Sequence, residues 1–296
     1  MRILILGATG MLGHKLAQVL APDNQVTAAI RDNGSHWPGS IKVEEVATNV
    51  DIKETGQLVK LLDRRPDAVL NAVGMVKQIM SDHDPMETIT VNSVFPRVLA
   101  DFCAARSIRL IHYSTDCVFT GSKMSERGPN GYRESDLPDA RDLYGASKFL
   151  GEPPAPCLTI RTSIIGRELR GKHGLVEWFL AQNGRSVKGF TQALFTGLPT
   201  LELARVTSMI LNRFPTLEGI WNIAAAPVDK YELLSLLKEL YGQRTSIAPA
   251  DDFYCDRRLD GERFSHATGW KAPIWRELIS MMHADPFPYP EAGGES

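Results

Sequence analysis

An apolar run near the N-terminus, Ile3-Leu4-Ile5-Leu6, passes directly into Gly7-Ala8-Thr9-Gly10-Met11-Leu12-Gly13, and no other stretch restricts the possible folds as strongly. A continuous apolar run is how a strand buried on both faces of a parallel sheet reads. The next residues, His14-Lys15-Leu16-Ala17-Gln18-Val19-Leu20, carry a helical pattern. Strand, glycine turn and helix thus arrive in the order that a dinucleotide site requires. Gly7, Gly10 and Gly13 permit the tight turn, let the backbone approach a pyrophosphate and allow close helix packing, and the helix start offers free N–H groups to phosphate oxygens. Thr9, Met11 and Leu12 sit within the same turn. The spacing is G-x-x-G-x-x-G, which departs from the G-x-G-x-x-G of many dehydrogenases.

The segments that follow read as the rest of such a domain. A second strand over Gln25 to Ile30 ends in Arg31-Asp32. A carboxylate there binds the ribose 2'-hydroxyl of NAD, whereas an arginine pairs with the 2'-phosphate of NADP. With Arg31 first, NADP(H) is the expected cofactor and NAD(H) the alternative. Val46 to Ile52 brings Asp51 and Ile52 to where an adenine edge would lie, and Leu58 to Leu62 reads as a crossover helix. The strand Asp67 to Ala72 closes on Val73-Gly74, so Ala72, Val73 and Gly74 are expected to cover the cofactor.

Val91 to Ala105 is helical, and the strand Arg109 to Tyr113 delivers Ser114-Thr115-Asp116 at its C-terminal end, the edge where open parallel sheets bind ligands. After a polar loop comes Tyr144-Gly145-Ala146-Ser147-Lys148. At i and i+4 of a helix, Tyr144 and Lys148 share one face, and an ammonium beside a phenol lowers the phenol pKa toward acid–base work at neutral pH. From Gly166 onward the periodicity loosens. Leu175 to Leu180 reads as a helix, Ile220 to Ala224 as a strand returning to the first sheet, and Lys230 to Tyr241 as an amphipathic helix. Pro, Gly and Glu content predicts poor order for the tail from Pro286 to Ser296. The expected division is a nucleotide-binding unit over 1–166, rejoined by a strand near 219–225, and a substrate lobe over 167–296.

Composition excludes several functions. At 296 residues the formal net charge is -2, which argues against a nucleic-acid surface and a polybasic membrane patch. No apolar run reaches the roughly 18 residues of a spanning helix. The four cysteines, Cys103, Cys117, Cys157 and Cys255, form no C-x-x-C and suit a reducing compartment, so a cytoplasmic protein is expected. His112 and His173 have no partner at ligand spacing, and no metal site is expected.

Together the glycine turn, the threonine after a central strand and the Tyr-x-x-x-Lys pair resemble the extended short-chain dehydrogenase/reductase family. Gly10-Met11-Leu12-Gly13, Ser114-Thr115-Asp116-Cys117-Val118-Phe119, the Tyr144 to Lys148 stretch with Gly151-Glu152, and Arg161-Thr162-Ser163 are similar to its dTDP-4-dehydrorhamnose reductase branch. The resemblance implies an α/β Rossmann-type doubly wound parallel sheet with a smaller, less regular C-terminal lobe. It implies reduction of the 4-keto group of a nucleotide-activated deoxysugar, in polysaccharide or deoxysugar biosynthesis, and a homodimer. Under it Thr115 would polarise the carbonyl, Tyr144 would donate the proton, and Lys148 would lower the tyrosine pKa and bind the nicotinamide ribose. Asp116 and Cys117 would face the substrate, and Arg185, Arg257 and Arg258 would be the candidates for its diphosphate. Two departures bear on the sugar: Cys117 stands where an aromatic is common, and Tyr254-Cys255-Asp256-Arg257-Arg258 stands near an expected Arg-Pro pair. Two other functions stay open, an epimerase or dehydratase of the same fold and a non-catalytic regulatory subunit. Cys117 replaces the glutamate that dehydratases use, and a regulatory subunit has no need of Thr115, Tyr144 and Lys148 together.

Overall fold

The computed structural model describes residues 1–77, 84–122 and 130–289, and the statements below concern these. The first half alternates strand and helix: β1 (Arg2–Leu6), α1 (Gly13–Leu20), β2 (Gln25–Ala29), β3 (Glu45–Ala47), α2 (Thr55–Asp63) and β4 (Ala68–Asn71). Then come α3 (Pro85–Ile89), a π-helical turn (Thr90–Val94), α4 (Phe95–Ala104), β5 (Arg109–Tyr113), a 3₁₀ turn (Asp116–Val118), α5 (Leu143–Leu150) and β6 (Leu158–Arg161). The second half holds β7 (Ile164–Ile165), α6 (Leu175–Leu180), β8 (Ser186–Phe190), β9 (Ala193–Phe195), β10 (Leu198–Pro199), α7 (Thr200–Arg213) and β11 (Gly219–Asn222). It ends with β12 (Val228–Asp229), α8 (Lys230–Leu240), β13 (Ser246–Ala250), β14 (Cys255–Asp256), α9 (Glu262–Thr268) and α10 (Trp275–His283).

Seven strands form one sheet in the order β11-β6-β5-β4-β1-β2-β3, and every pairing in it is parallel. The order reverses between β1 and β4, the place where a doubly wound sheet opens a crevice at its C-terminal edge. Alternation along the strands supplies two cores. Ile3, Ile5, Leu70 and Ile111 face Leu16 and Leu20 of α1 with Leu203 and Ile210 of α7. Leu4, Leu6, Val69 and Leu110 face Leu58 and Leu62 of α2 with Phe95 and Leu99 of α4. β1 is therefore buried on both sides, as its apolar run predicts. β11 pairs with β6 from Gly219 opposite Leu158 to Asn222 opposite Arg161.

The second half also makes three small sheets, β10-β7, β12-β9-β14 and β13-β8, with α8 packed on the last. The third strand stops at Ala47, and Asn49 beyond it adopts a left-handed φ of 56°. Two details differ from the sequence reading. The longest helix, α7, has no counterpart in that reading. Of the tail expected to be poorly ordered, 290–296 lies outside the described residues, while Phe287 is buried and Tyr289 packs on the His14 ring at 5.7 Å. Two aromatics outweigh the Pro content there. No described helix is long and apolar enough to cross a membrane.

Candidate active site

The crevice is shaped first by glycines. Gly7 has φ 75°, and a Cβ there would stand 3.0 Å from the Val73 nitrogen, so the turn after β1 lies against the chain leaving β4. A Cβ at Gly13 would overlap the Gly7 carbonyl oxygen, which is how closely α1 seats on the turn. The Gly10 amide closes the turn on the Gly7 oxygen at 3.0 Å, while the Met11 and Leu12 amides donate to no described carbonyl. Those two N–H groups at the start of an eight-residue helix fit a pyrophosphate. Ala72 and Val73 are half-buried and Gly74 is exposed beyond β4. Arg31 is exposed past β2, and the neighbouring Asp32 turns its carboxylate onto its own loop, to the Gly34 amide at 2.9 Å and the His36 ring at 3.0 Å. Asp51 and Ile52 are half-buried past β3, and Asp51 accepts from the Lys53 amide at 2.9 Å.

One strand over from β4, the end of β5 meets the start of α5. Thr115 caps the 3₁₀ turn, its hydroxyl accepting from the Cys117 amide at 3.1 Å and donating to Asp116 Oδ1 at 3.1 Å. Asp142 caps α5 by accepting from the Gly145 amide at 2.9 Å. A Cβ at Gly145 would overlap the Cys117 carbonyl, so glycine lets the helix press onto the threonine turn. Asn92, in the π-helical turn, braces both sides: its amide donates to Met75 O at 3.1 Å and Ser147 Oγ at 3.2 Å, and its carbonyl accepts from the Met75 amide at 2.8 Å. Below, Arg161 forms a buried two-pronged pair with Glu152, at 2.8 and 2.7 Å, and Glu152 also accepts from Ser114 Oγ at 2.7 Å. That network joins the ends of β5, α5 and β6.

Tyr144 and Lys148 share a face as their spacing predicts, and burial dominates the electrostatics of both. Burial pushes the Tyr144 phenol up, helped by Cys117, and the Thr115 hydroxyl acts against the rise. The Lys148 ammonium donates to the Tyr113 carbonyl at 2.8 Å. Burial brings the Lys148 pKa down to about 8, and the nearby Glu152 carboxylate limits the fall. A Cβ at Gly74 would lie 3.8 Å from that ammonium, in ordinary contact, so Lys148 looks into the space beside the chain leaving β4.

Cys117 is a protonated thiol, pushed up to about 12 by burial and then by Asp116. Arg257 donates to its sulfur at 3.4 Å and keeps a buried Nε with no hydrogen-bond partner. Arg258 closes its fork on Asp256, at 2.9 and 2.8 Å. Arg185 is exposed at the start of β8, beside Ser246, and is not brought to this cluster. Lys230, unread in the sequence except as a helix start, stands 4.1 Å over the Phe195 ring, with Asp116, Cys255 and Cys117 as the acidic groups opposing its burial. Asn92 and Lys230 thus join the site unannounced. A polar residue inside an apolar helix was the available signal for Asn92; Lys230 had none. His112 is buried with its Nδ1 3.1 Å from Asn71, His173 is exposed, and no metal-ligating group of three occurs among the described residues.

The profile of the RmlD substrate-binding domain matches residues 1–212. A "Probable low-salt glycan biosynthesis reductase Agl14" of Haloferax volcanii is 33% identical over 154 residues, 50% of this chain and 46% of that one. A dTDP-4-dehydrorhamnose reductase of Burkholderia thailandensis is 33% identical over 153 residues, 51% of this chain and 44% of that one. The chain thus spans about half the length of these curated relatives. A Bacillus anthracis dTDP-4-dehydrorhamnose reductase solved with NADP superposes with TM-score 0.77 at 17% identity, over 97% of this chain and 99% of that one, a likeness of fold. The profile covers the glycine turn, the β5 edge and the Tyr144 helix in one continuous stretch, and on that match the chain belongs to the RmlD substrate-binding domain family.

Proposed function

We propose that the protein reduces the 4-keto group of a nucleotide-activated deoxysugar with NADPH, for polysaccharide or deoxysugar biosynthesis in the cytoplasm. The convergence of Thr115, Tyr144 and Lys148 two strands from the glycine turn carries this reading. Arg31, exposed and beside a carboxylate committed to its own loop, favours NADP over NAD. When bound, the cofactor supplies a hydride to the carbonyl carbon. Thr115 would donate a hydrogen bond to the carbonyl oxygen, and Tyr144 would pass its phenolic proton to the same oxygen, so that the alcohol forms without a free alkoxide. A phenol pushed up by burial stays protonated through neutral pH, the state a proton donor needs. Lys148 would hold the ribose beside Gly74 with its ammonium.

Arg257, with a buried guanidinium nitrogen left unpartnered, is assigned the substrate diphosphate, while Arg258 braces the loop through Asp256. Asp116 and Cys117 lie beside the reacting carbonyl. Arg185 keeps a place in this proposal only as an outer contact. The family resemblance adds a homodimer, which light scattering checks. The experiment is isotopic: NADPH deuterated at nicotinamide C4 is incubated with a 4-keto-6-deoxy sugar nucleotide and the product read by NMR. Deuterium at sugar C4 with net NADPH loss supports the reduction. Isomerisation without net NADPH loss would show an epimerase, and cofactor binding without product from any substrate would favour a regulatory subunit.

A further inference from the structure

The segment 285–289 lies across the start of α1, on the flank of the glycine turn. Lys15 and Asp285 form an ion pair with both side chains 3% exposed, and Gln18 donates to the other Asp285 oxygen at 3.0 Å. The Lys15 ammonium lies 4.8 Å from the Phe287 ring centre and 4.7 Å from that of Tyr289, and Arg167 lies 4.8 Å from the latter. Between this strap and the turn stands His14, fully buried. Its Nδ1 is 2.8 Å from Gly10 O and its Nε2 is 2.8 Å from the Tyr289 hydroxyl. A carbonyl oxygen can only accept, so Nδ1 carries the proton and Nε2 accepts from Tyr289. Burial lowers the His14 pKa to about 4, which keeps this neutral tautomer at physiological pH.

The Gly10 oxygen receives a second bond from the His14 amide at 3.1 Å. In a planar trans peptide the C=O and the N–H point to opposite sides. Fixing the Gly10 carbonyl toward His14 therefore fixes the Met11 N–H away from it, and that N–H donates to no described carbonyl. We propose that the 285–289 strap sets cofactor affinity: through Tyr289 and His14 it holds the Gly10–Met11 peptide in the orientation that receives the pyrophosphate. Tyr289 and His14 are positioning residues in this account, and the proposal rests on reading the turn as the NADP(H) site. Because coupling between two sites is reciprocal, the cofactor must in turn tighten the strap.

The test has two arms on the full chain. NADPH is titrated by fluorescence into the wild type and into Tyr289→Phe, which keeps the ring and removes only the hydroxyl. Loss of this one part-buried hydrogen bond is expected to raise Kd about three- to tenfold. In the second arm, amide hydrogen exchange over 285–289 is measured in the wild type with and without NADPH, and exchange is expected to slow with the cofactor. This arm needs no variant, so it decides even where Tyr289→Phe fails to fold. A merely structural strap would leave its exchange indifferent to NADPH. Equal Kd values, or unchanged strap exchange, overturn the proposal while leaving the cofactor site intact. A wild type that binds neither NADPH nor NADP+ removes the cofactor reading, and the proposal with it.

Discussion

The two ends of the crevice are built differently. The end proposed for the cofactor is backbone: the turn from Gly7 to Gly13 makes its donors from one continuous stretch, and its shape depends on absent side chains. The end proposed for the substrate is side chains drawn from distant segments, with Cys117 after β5, Phe195 on β9, Lys230 at the start of α8 and Arg257 after β14. Local construction leaves a sequence signature, because spacing alone decides whether the turn can form. Construction from remote segments leaves none, because burial of each group depends on neighbours the chain supplies elsewhere. Tyr144 and Lys148 stand between the two, local in spacing and remote in their partners.

That contrast can be broken or sharpened by substitution. Removing the ammonium proposed to hold the nicotinamide ribose in Lys148→Met should lower kcat/KM about 100-fold, the cost of misplacing a bound reactant by about 1 Å. Steady-state kinetics at saturating NADPH check it, and a loss under threefold would place Lys148 outside the chemistry. At the cofactor end, Gly13→Ala puts a methyl group on the Gly7 oxygen. NADPH affinity should fall at least about tenfold, ~1.4 kcal/mol, by fluorescence titration. Retained affinity would show that the turn tolerates side chains and that the backbone account is wrong.

At the substrate end, Arg257→Lys removes the fork and Lys230→Met the neighbouring charge. Each should raise the KM for the sugar nucleotide about tenfold, in line with a lost charge-assisted bond of ~1.5 kcal/mol. The Kd for NADPH should stay within about twofold, since different elements build the two ends. A matched loss in both constants would merge the two ends into one unit.

The smallest effect is in pH. Lys148 loses its proton near pH 8, so kcat/KM should fall as pH rises through that value. The fold cannot be the cause through this group. Its folded pKa lies below the ordinary 10.5, so the unfolded chain binds more protons between about 8 and 10.5, and the contribution of Lys148 to stability rises across that window. Thermal melts run beside the rate profile separate the two effects.

Much of the fold was legible for the same local reason. The apolar run of β1, the glycine turn and the return of β11 are pattern features. The helix α7 was not, because its buried face includes Thr200, Glu202 and Thr207, which dilute the apolar stripe. Within the site, spacing revealed that Tyr144 and Lys148 share a face but not that the lysine would turn to the Tyr113 carbonyl. The order of the 286–289 tail depended on a cationic seat formed by Lys15 and Arg167, far away in sequence.

The central claim is that Tyr144 gives its proton to a sugar-nucleotide ketone. The direct measurement is NADPH oxidation, followed at the absorbance of the reduced cofactor, with 4-keto-6-deoxy sugar nucleotides and with wild-type protein against Tyr144→Phe. The account predicts turnover by the wild type and a loss of about 100-fold or more in the variant, with NADPH binding retained. Equal turnover by both proteins would contradict it.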